Sequence, residues 1–496
     1  MQVRAAATTR RVRLLLLFVA SSLFASAAAA QKLTIQGDRF AIDGTPKFLT
    51  FISYFGAMGA PNVIQDLHLL RTLGFDGVRI WPNLDTGPQL MNGDGSLKPE
   101  ELKRLQTILD QARIERLIVD VTFTHEHIPG MTMATALAGI VNATNALRSY
   151  ENLIFDIQNE RNVTDRRFMS EDDVGRIYRA VKAADSSRIT TADNSLGEVW
   201  GPQYAADFTS KLGLDVVAFH ESRGPSWYTL PFYQGIVNTM KAAGRPVYLQ
   251  EPNSTRDRTY TANDRADYFL RAVANAKAAG AAAWCFHTLV GTDFRVGPPF
   301  LEDRLREFDE PEWTFVNALS LRVILRTANG ANYIVPEGGG GAGVRADRTI
   351  AGPGSWEILG VTNLSGGPLV SGDRVALATA DGRHYLQAVN GGGGALNAVS
   401  TTIGSSETFT IERAGGGVIR HGEAITLRPA DSSWYVTAEN AGGGAVAANA
   451  TAKGAAETFT IMFVSPHSSD VAPGQSLPFD KPTLPIRRPG DRRDHH

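Results

Sequence analysis

Eight short apolar runs alternating with amphipathic stretches fill roughly the first 300 residues, and this alternation narrows the possible folds further than any other feature. The runs are Phe48 to Phe55, Gly77 to Trp81, Leu117 to Phe123, Leu153 to Ile157, Ile189 to Ala192, Val216 to Phe219, Val247 to Leu249 and Ala281 to Phe286. Helical periodicity occupies the intervals at Val63 to Leu73, Pro99 to Arg113, Asp172 to Ala184 and Asn263 to Ala279. Strand then helix, repeated, makes successive strands parallel, because each helix carries the chain back to the end where the next strand starts. Eight such units predict an α/β fold, a (β/α)8 TIM barrel over residues 31–322, with its chemistry at the C-terminal strand ends. A hairpin, Leu33 to Ile42 turning at Gly37-Asp38, precedes the first run.

Near residue 323 glycine rises and helical periodicity stops. Three segments then read alike, beginning Ile324-Leu325-Arg326-Thr327, Val375-Ala376-Leu377-Ala378 and Ile425-Thr426-Leu427-Arg428. Each is followed by a tyrosine (Tyr333, Tyr385, Tyr435), a glycine run, and a strand led by Glu357, Glu407 or Glu457. The tyrosines lie 52 and 50 residues apart and the glutamates 50 and 50. A fixed period means one supersecondary unit used three times, since a single copy cannot bury its own apolar face. The glycine runs lack the G-x-x-x-x-G-K-[ST] form of a phosphate loop and read as turns. The repeated pattern resembles the fascin-like β-trefoil over residues 323–465. That resemblance implies an all-β trefoil domain, either a structural appendage or a carbohydrate-binding module, expected to fold without the barrel.

Arg4, Arg10, Arg11 and Arg13, the apolar run Leu14 to Ala20, and Ala28-Ala29-Ala30 have the order of a secretory signal peptide over residues 1–30. A secreted or periplasmic protein is expected, with no membrane attachment after cleavage. Cys285 is the single cysteine, so no intrachain disulfide can form. Residues 466–496 hold prolines, serines and paired arginines without apolar period, and read as a disordered tail. With 49 Lys+Arg against 51 Asp+Glu the chain has no net field to hold a polyanion, which argues against nucleic acid as a partner.

Two strand ends carry glutamates: the fourth run leads to Gln158-Asn159-Glu160 and the seventh to Gln250-Glu251. A carboxylate closing a buried strand lies at the barrel mouth, where solvent or substrate must compensate its charge. A pair so placed suits glycoside hydrolysis, in which one acid protonates the leaving oxygen and a nearby carboxylate attacks the anomeric carbon.

Asn-Glu at strand four with Glu at strand seven resembles the clan A retaining glycosidases. Ile42-Asp43-Gly44-Thr45-Pro46, and Leu73 through Pro82 around the second strand, are similar to glycoside hydrolase family 5, the cellulase-like family. The resemblance implies Glu160 as acid/base, Glu251 as nucleophile, Asn159 on the substrate 2-hydroxyl and Arg79 beneath the nucleophile. It further implies substrate contacts at His125 and His220. Three positions depart from the family pattern: Ser222 replaces a tyrosine, leaving Tyr228 as the candidate hydroxyl, Arg161 replaces a proline, and His287 replaces a stacking tryptophan. Trp284 is then the candidate sugar platform, with core packing as its alternative. His125 and His127 would suit zinc only with ligands from other strands, so no metal and no cofactor is expected. The implied protein is a monomer acting on a β-linked glucan, mannan or related oligosaccharide or polysaccharide. A carbohydrate-binding or adhesion protein on an inactive barrel is the alternative. Asn162-Val163-Thr164 and Asn253-Ser254-Thr255 match glycosylation sequons that should be unoccupied beside such a site.

Overall fold

The computed structural model describes residues 31–84, 87–195, 201–220, 226–251, 267–287, 301, 305, 308, 310–319, 322–349 and 356–464. The proposed signal peptide and tail, Ser222 and the Asn253 sequon lie outside the described residues. The first region is a (β/α)8 barrel. Its parallel strands are β1 (Leu49–Ser53), β2 (Gly77–Ile80), β3 (Ile118–Thr122), β4 (Leu153–Asp156), β5 in two pieces (Ile189–Thr191 and Asn194–Ser195), β6 (Val217–His220), β7 (Val247–Glu251) and β8 (Ala283–Phe286). Each pairs with the next in parallel register, β8 pairs back to β1, and the two pieces of β5 pair with β4 and β6 respectively, so the sheet closes on itself.

The described helices alternate with these strands: α1 (Val63–Thr72), α2 (Pro99–Ile114), α3 (Met133–Ala146), α4 (Glu171–Ala184), α5 (Pro202–Leu212), α6 (Leu230–Lys241), α7 (Tyr268–Ala279) and α8 (Glu310–Ala318). Ser170 caps α4 by accepting from Asp173 N–H, and Asp and Glu in its first turn complement the helix dipole. Among the described residues no helix is long and apolar enough to cross a membrane.

Strands covered on both faces read as continuous apolar runs, which is why all eight show in the sequence. Their outward side chains, such as Val78 and Val119, join Leu70, Leu105, Val237 and Val273 from the helices in one buried layer. The inward side chains split by depth. At the N-terminal end, Phe51, Ile118, Ile154 and Tyr248 meet Leu33 and Phe40 of the short antiparallel sheet Leu33–Gln36, Arg39–Ile42 and Thr45–Pro46, which plugs that end of the barrel. Gly77 keeps this layer closed, because a Cβ there would come within 2.4 Å of the Phe51 ring. Above it the interior turns polar, with Arg79, Asp120, Asp156 and Gln250 all buried.

The second region is one antiparallel sheet of twelve strands, four from each repeat. The first repeat supplies Arg322–Thr327, Tyr333–Pro336, Val344–Arg348 and Leu359–Asn363. The second supplies Arg374–Ala378, Tyr385–Ala388, Gly394–Ser400 and Thr408–Glu412. The third supplies Ala424–Pro429, Tyr435–Ala438, Val446–Ala450 and Phe459–Phe463. Equivalent side chains from all three, including Leu325, Leu377 and Leu427, share one core. The repeated glutamates are buried, and Glu407 holds backbone, accepting from Gly404 N–H at 2.8 Å as well as from Gln387 Nε2 at 2.7 Å. The glycine runs join one repeat to another, since Gly341, Gly393 and Gly443 donate to the carbonyls of Ala398, Ala448 and Ala346.

The two regions touch. Phe48 N–H, just before β1, donates to Ser365 O, and Lys277 near the end of α7 donates to Gly366 O and both carboxylate oxygens of Asp373 at 2.6–2.8 Å. Leu270 and Ala274 of α7 pack on Val418.

Candidate active site

The site begins with one cation inside the barrel. Arg79 on β2 is fully buried, and its guanidinium reaches four acids: Asp193 at 2.8 Å, Glu251 at 2.9 Å, and Asp120 and Asp156 each at 3.5 Å. Register puts Arg79 beside Asp120, so the pair forms wherever these strands form. Asp193 arrives by a different route: it occupies the break in β5, where the chain leaves the ladder and turns the carboxylate inward.

The protonation pattern balances this cluster. Burial alone would raise Glu251, but His220, His287 and Arg79 hold it down at about 2. Burial alone would lower His220, but Asp193 and Glu251 lift it to about 10, so it is an imidazolium at neutral pH. Asp156 is pushed well up by burial and by Asp193, against the pull of Arg79. Arg79 and His220 thus face Glu251 and Asp193, with Asp120 and Asp156 also 3.5 Å from Arg79.

His220 at the end of β6 stands between the two glutamates. Its Nδ1 lies 3.0 Å from Glu160 Oε1 and 3.3 Å from Glu251 Oε2, and one oxygen of each glutamate lies within 4.8 Å of the other. Glu160 sits four residues beyond the last of β4, with φ 49°, a left-handed conformation unfavourable for a glutamate. Asp193 holds that turn, its carboxylate accepting the Glu160 N–H and its carbonyl the Arg161 N–H. The second oxygen of Glu160 takes Nη1 of Arg167, and Asp165 binds the same guanidinium. Asn159 is oriented by donors on both sides, since its Oδ1 accepts from Arg79 Nη2 at 3.0 Å and Trp81 Nε1 at 3.3 Å, which leaves Nδ2 for a ligand.

A cleft of about 470 Å³ opens above these groups, lined by Phe55, Trp81, Glu126, His127, Asn159, Glu160, Arg166, Arg167, Glu251 and His287, among others. Phe55 and Trp81 stack at 4.4 Å and 10° and form an aromatic wall. His287 Nδ1 is 2.9 Å from Ser53 Oγ and its Nε2 is 3.6 Å from Glu251.

Arg79, Asn159, Glu160, His220 and Glu251 therefore converge, whereas three other candidates do not. Trp284 is fully buried against Phe286 and Phe315, with Nε1 on Tyr233 Oη, because its alternating position on β8 faces the helices; it is core and no sugar platform. Tyr228 does not line the cleft; it is half-buried, stacked on Tyr268 at 3.8 Å and covered by Arg271. His125 turns onto Gln158 Oε1 at 2.6 Å, and the cleft is lined instead by its neighbours Glu126 and His127. His127 pairs with Glu126, so neither zinc candidate joins the convergent group of Glu160, His220 and Glu251. That group could offer three ligand atoms, but the proton on His220 and the cations Arg79 and Arg167 around it oppose a metal ion. The Asn162 amide is buried and exchanges two hydrogen bonds with the Ser195 backbone, leaving no room for a glycan.

Sequence reasoning misses Asp193, Arg167, Phe55 and Trp81. Only the aromatic residues carry a signal, as large apolar groups at strand ends near the mouth.

No family model and no curated protein matches the chain. Among solved structures it is similar to the catalytic domain of a mannanase from Streptomyces sp. SirexAA-E, with 13% identity over 58% of this chain and 86% of that one and a TM-score of 0.37. It is also similar to a β-mannanase from the blue mussel Mytilus edulis, with 13% identity over 57% and 96% and a TM-score of 0.39. The exo-β-1,4-mannosidase Op5Man5 from Opitutaceae bacterium strain TAV5 gives 18% identity over 56% and 60% and a TM-score of 0.42.

Proposed function

We propose that the protein is a secreted retaining β-glycosidase acting on a β-linked glucan, mannan or related oligosaccharide. The observation that carries this reading is the short approach of Glu160 and Glu251, with an oxygen of each within 4.8 Å, at the mouth of a barrel. Retaining enzymes hold their carboxyl groups about 5–5.5 Å apart, while inverting ones need about 6.5–9.5 Å to admit a water. Glu251, kept anionic by Arg79 and His220, attacks the anomeric carbon as the glycosidic C–O bond breaks and Glu160 gives its proton to the leaving oxygen. Water then attacks the same carbon, Glu160 takes the water proton, and Glu251 departs as carboxylate. Asn159 Nδ2 donates to the 2-hydroxyl, and Phe55 and Trp81 supply apolar wall for the sugar ring. The C-terminal region serves in this reading as a fascin-like β-trefoil that tethers the enzyme to polysaccharide.

Wild type and Glu160→Gln compared on aryl β-glycosides, soluble β-glucans and β-mannans test the assignment. Loss of the acid/base should lower kcat/KM by about 10²–10⁴-fold, and proton NMR of the first product should show the β-anomer. No hydrolysis by wild type across the panel would leave a carbohydrate-binding protein on an inactive barrel.

A further inference from the structure

The glycosidase reading is the foundation here, and the question is what the substrate carries. In the free site both oxygens of Glu160 are taken, Oε1 by His220 and Oε2 by Arg167. A general acid must turn one oxygen towards the glycosidic oxygen. His220 is buried, whereas the Arg167 side chain comes from the loop between β4 and α4 and is 30% exposed, so Arg167 is the partner that gives way. It does not leave the cleft: Asp165 grips the same guanidinium through Nε and Nη2 at 2.7–3.0 Å. Its Nη1 edge is then uncovered beside the leaving group. Arg166 lines the same cleft, is exposed, and makes no ion pair among the described residues.

A hydrogen bond to an ionised acceptor is about twice as strong as one between neutral groups, so a sugar hydroxyl replaces Glu160 poorly and an anion replaces it well. The planar guanidinium also matches the oxygen geometry of a carboxylate or sulfate. We infer that the site takes a glycan with an anionic group, a uronate carboxylate or a sulfate ester, on the departing ring, and that Arg167 exchanges Glu160 for that group as substrate docks. Arg167 is on this account a specificity residue that also releases the acid/base.

The test uses pairs of aryl β-glycosides with one glycone and a meta-substituted phenol, carboxylate against carboxamide and sulfonate against sulfonamide. The neutral member has the better leaving group, so a preference for the anion is not electronic. Wild type should favour the anionic member in kcat/KM by about tenfold, and rising salt should erode the preference. Arg167→Met should bring the ratio close to one and Arg167→Lys should keep part of it. The larger preference, for carboxylate or for sulfonate, assigns the group. Equal rates on both members by wild type overturn the inference and leave the glycosidase reading intact. No hydrolysis of any member with gluco, manno or xylo glycones overturns both.

Discussion

Arg79 is a lone guanidinium surrounded by acids that the barrel interior could not hold without it. With Arg79→Met, Glu251 and Asp193 would lose the guanidinium and share only the countercharge of His220, and losing one partner of a buried ion pair costs about 3–5 kcal/mol. Urea unfolding at neutral pH should show a loss of that size. His220 gives the same cluster a pH signature. Its folded pKa of about 10 lies above the ordinary 6.5, so its stabilisation is complete below pH 6.5 and is lost as pH rises through about 10. The stability gap between wild type and His220→Asn should therefore narrow from pH 6.5 to pH 10 in denaturant titrations, and a constant gap would contradict the charged state. Arg79 is legible in the sequence through the family resemblance around the second strand, which implies a cation beneath the nucleophile. Asp193 is not, because an aspartate after a short strand reads as a turn. Trp284 and Tyr228 show the converse limit: an aromatic near a strand end has a polarity but no direction until the strand's facing is known.

Between elements, glycine is what lets the turn of one repeat meet the strands of another. Gly442 has φ 132°, and a Cβ there would lie 2.4 Å from Asn329 Nδ2 and 2.6 Å from Thr327 Oγ1; Gly340 stands in the same relation to Thr379 and Asp381. Gly442→Ala should destabilise the C-terminal region by at least about 1–3 kcal/mol through backbone strain alone, read as a lowered thermal midpoint. The glycine runs are readable as turns, but their second role, seating the turn of another repeat, is not, because that contact joins segments distant in sequence. The barrel strands are readable for a plain reason, continuous burial. The second piece of β5, Asn194–Ser195, is an exception: its polar residues give no strand signal, and only pairing with β6 at the mouth defines it.

At the scale of the whole molecule, the repeats contain their own core, yet the barrel does not stand apart from them. Burial pulls the Lys277 ammonium down despite Asp373, and Gly366 lies so close to Phe48 that a Cβ would meet its carbonyl at 1.9 Å. Asp373→Asn leaves that ammonium without its carboxylate and should cost about 2–5 kcal/mol, by analogy with truncated charge pairs at interfaces. In calorimetry the barrel transition itself should move, whereas a barrel indifferent to Asp373 would mean that the two regions unfold separately.

The position of this contact bears on how the ring of strands can come apart. β1 and β8 form the join where the two ends of the barrel sheet meet, from Leu49 opposite Ala283 to Ile52 opposite Phe286. The C-terminal region holds the residue before β1 through Ser365 and the end of α7, which leads into β8, through Asp373. It works like a clasp across the one seam that the order of the chain leaves in the barrel. Fraying at that seam requires the clasp to release first, so amide hydrogens of β1 and β8 inherit the exchange protection of a domain that contributes no strand to the ring.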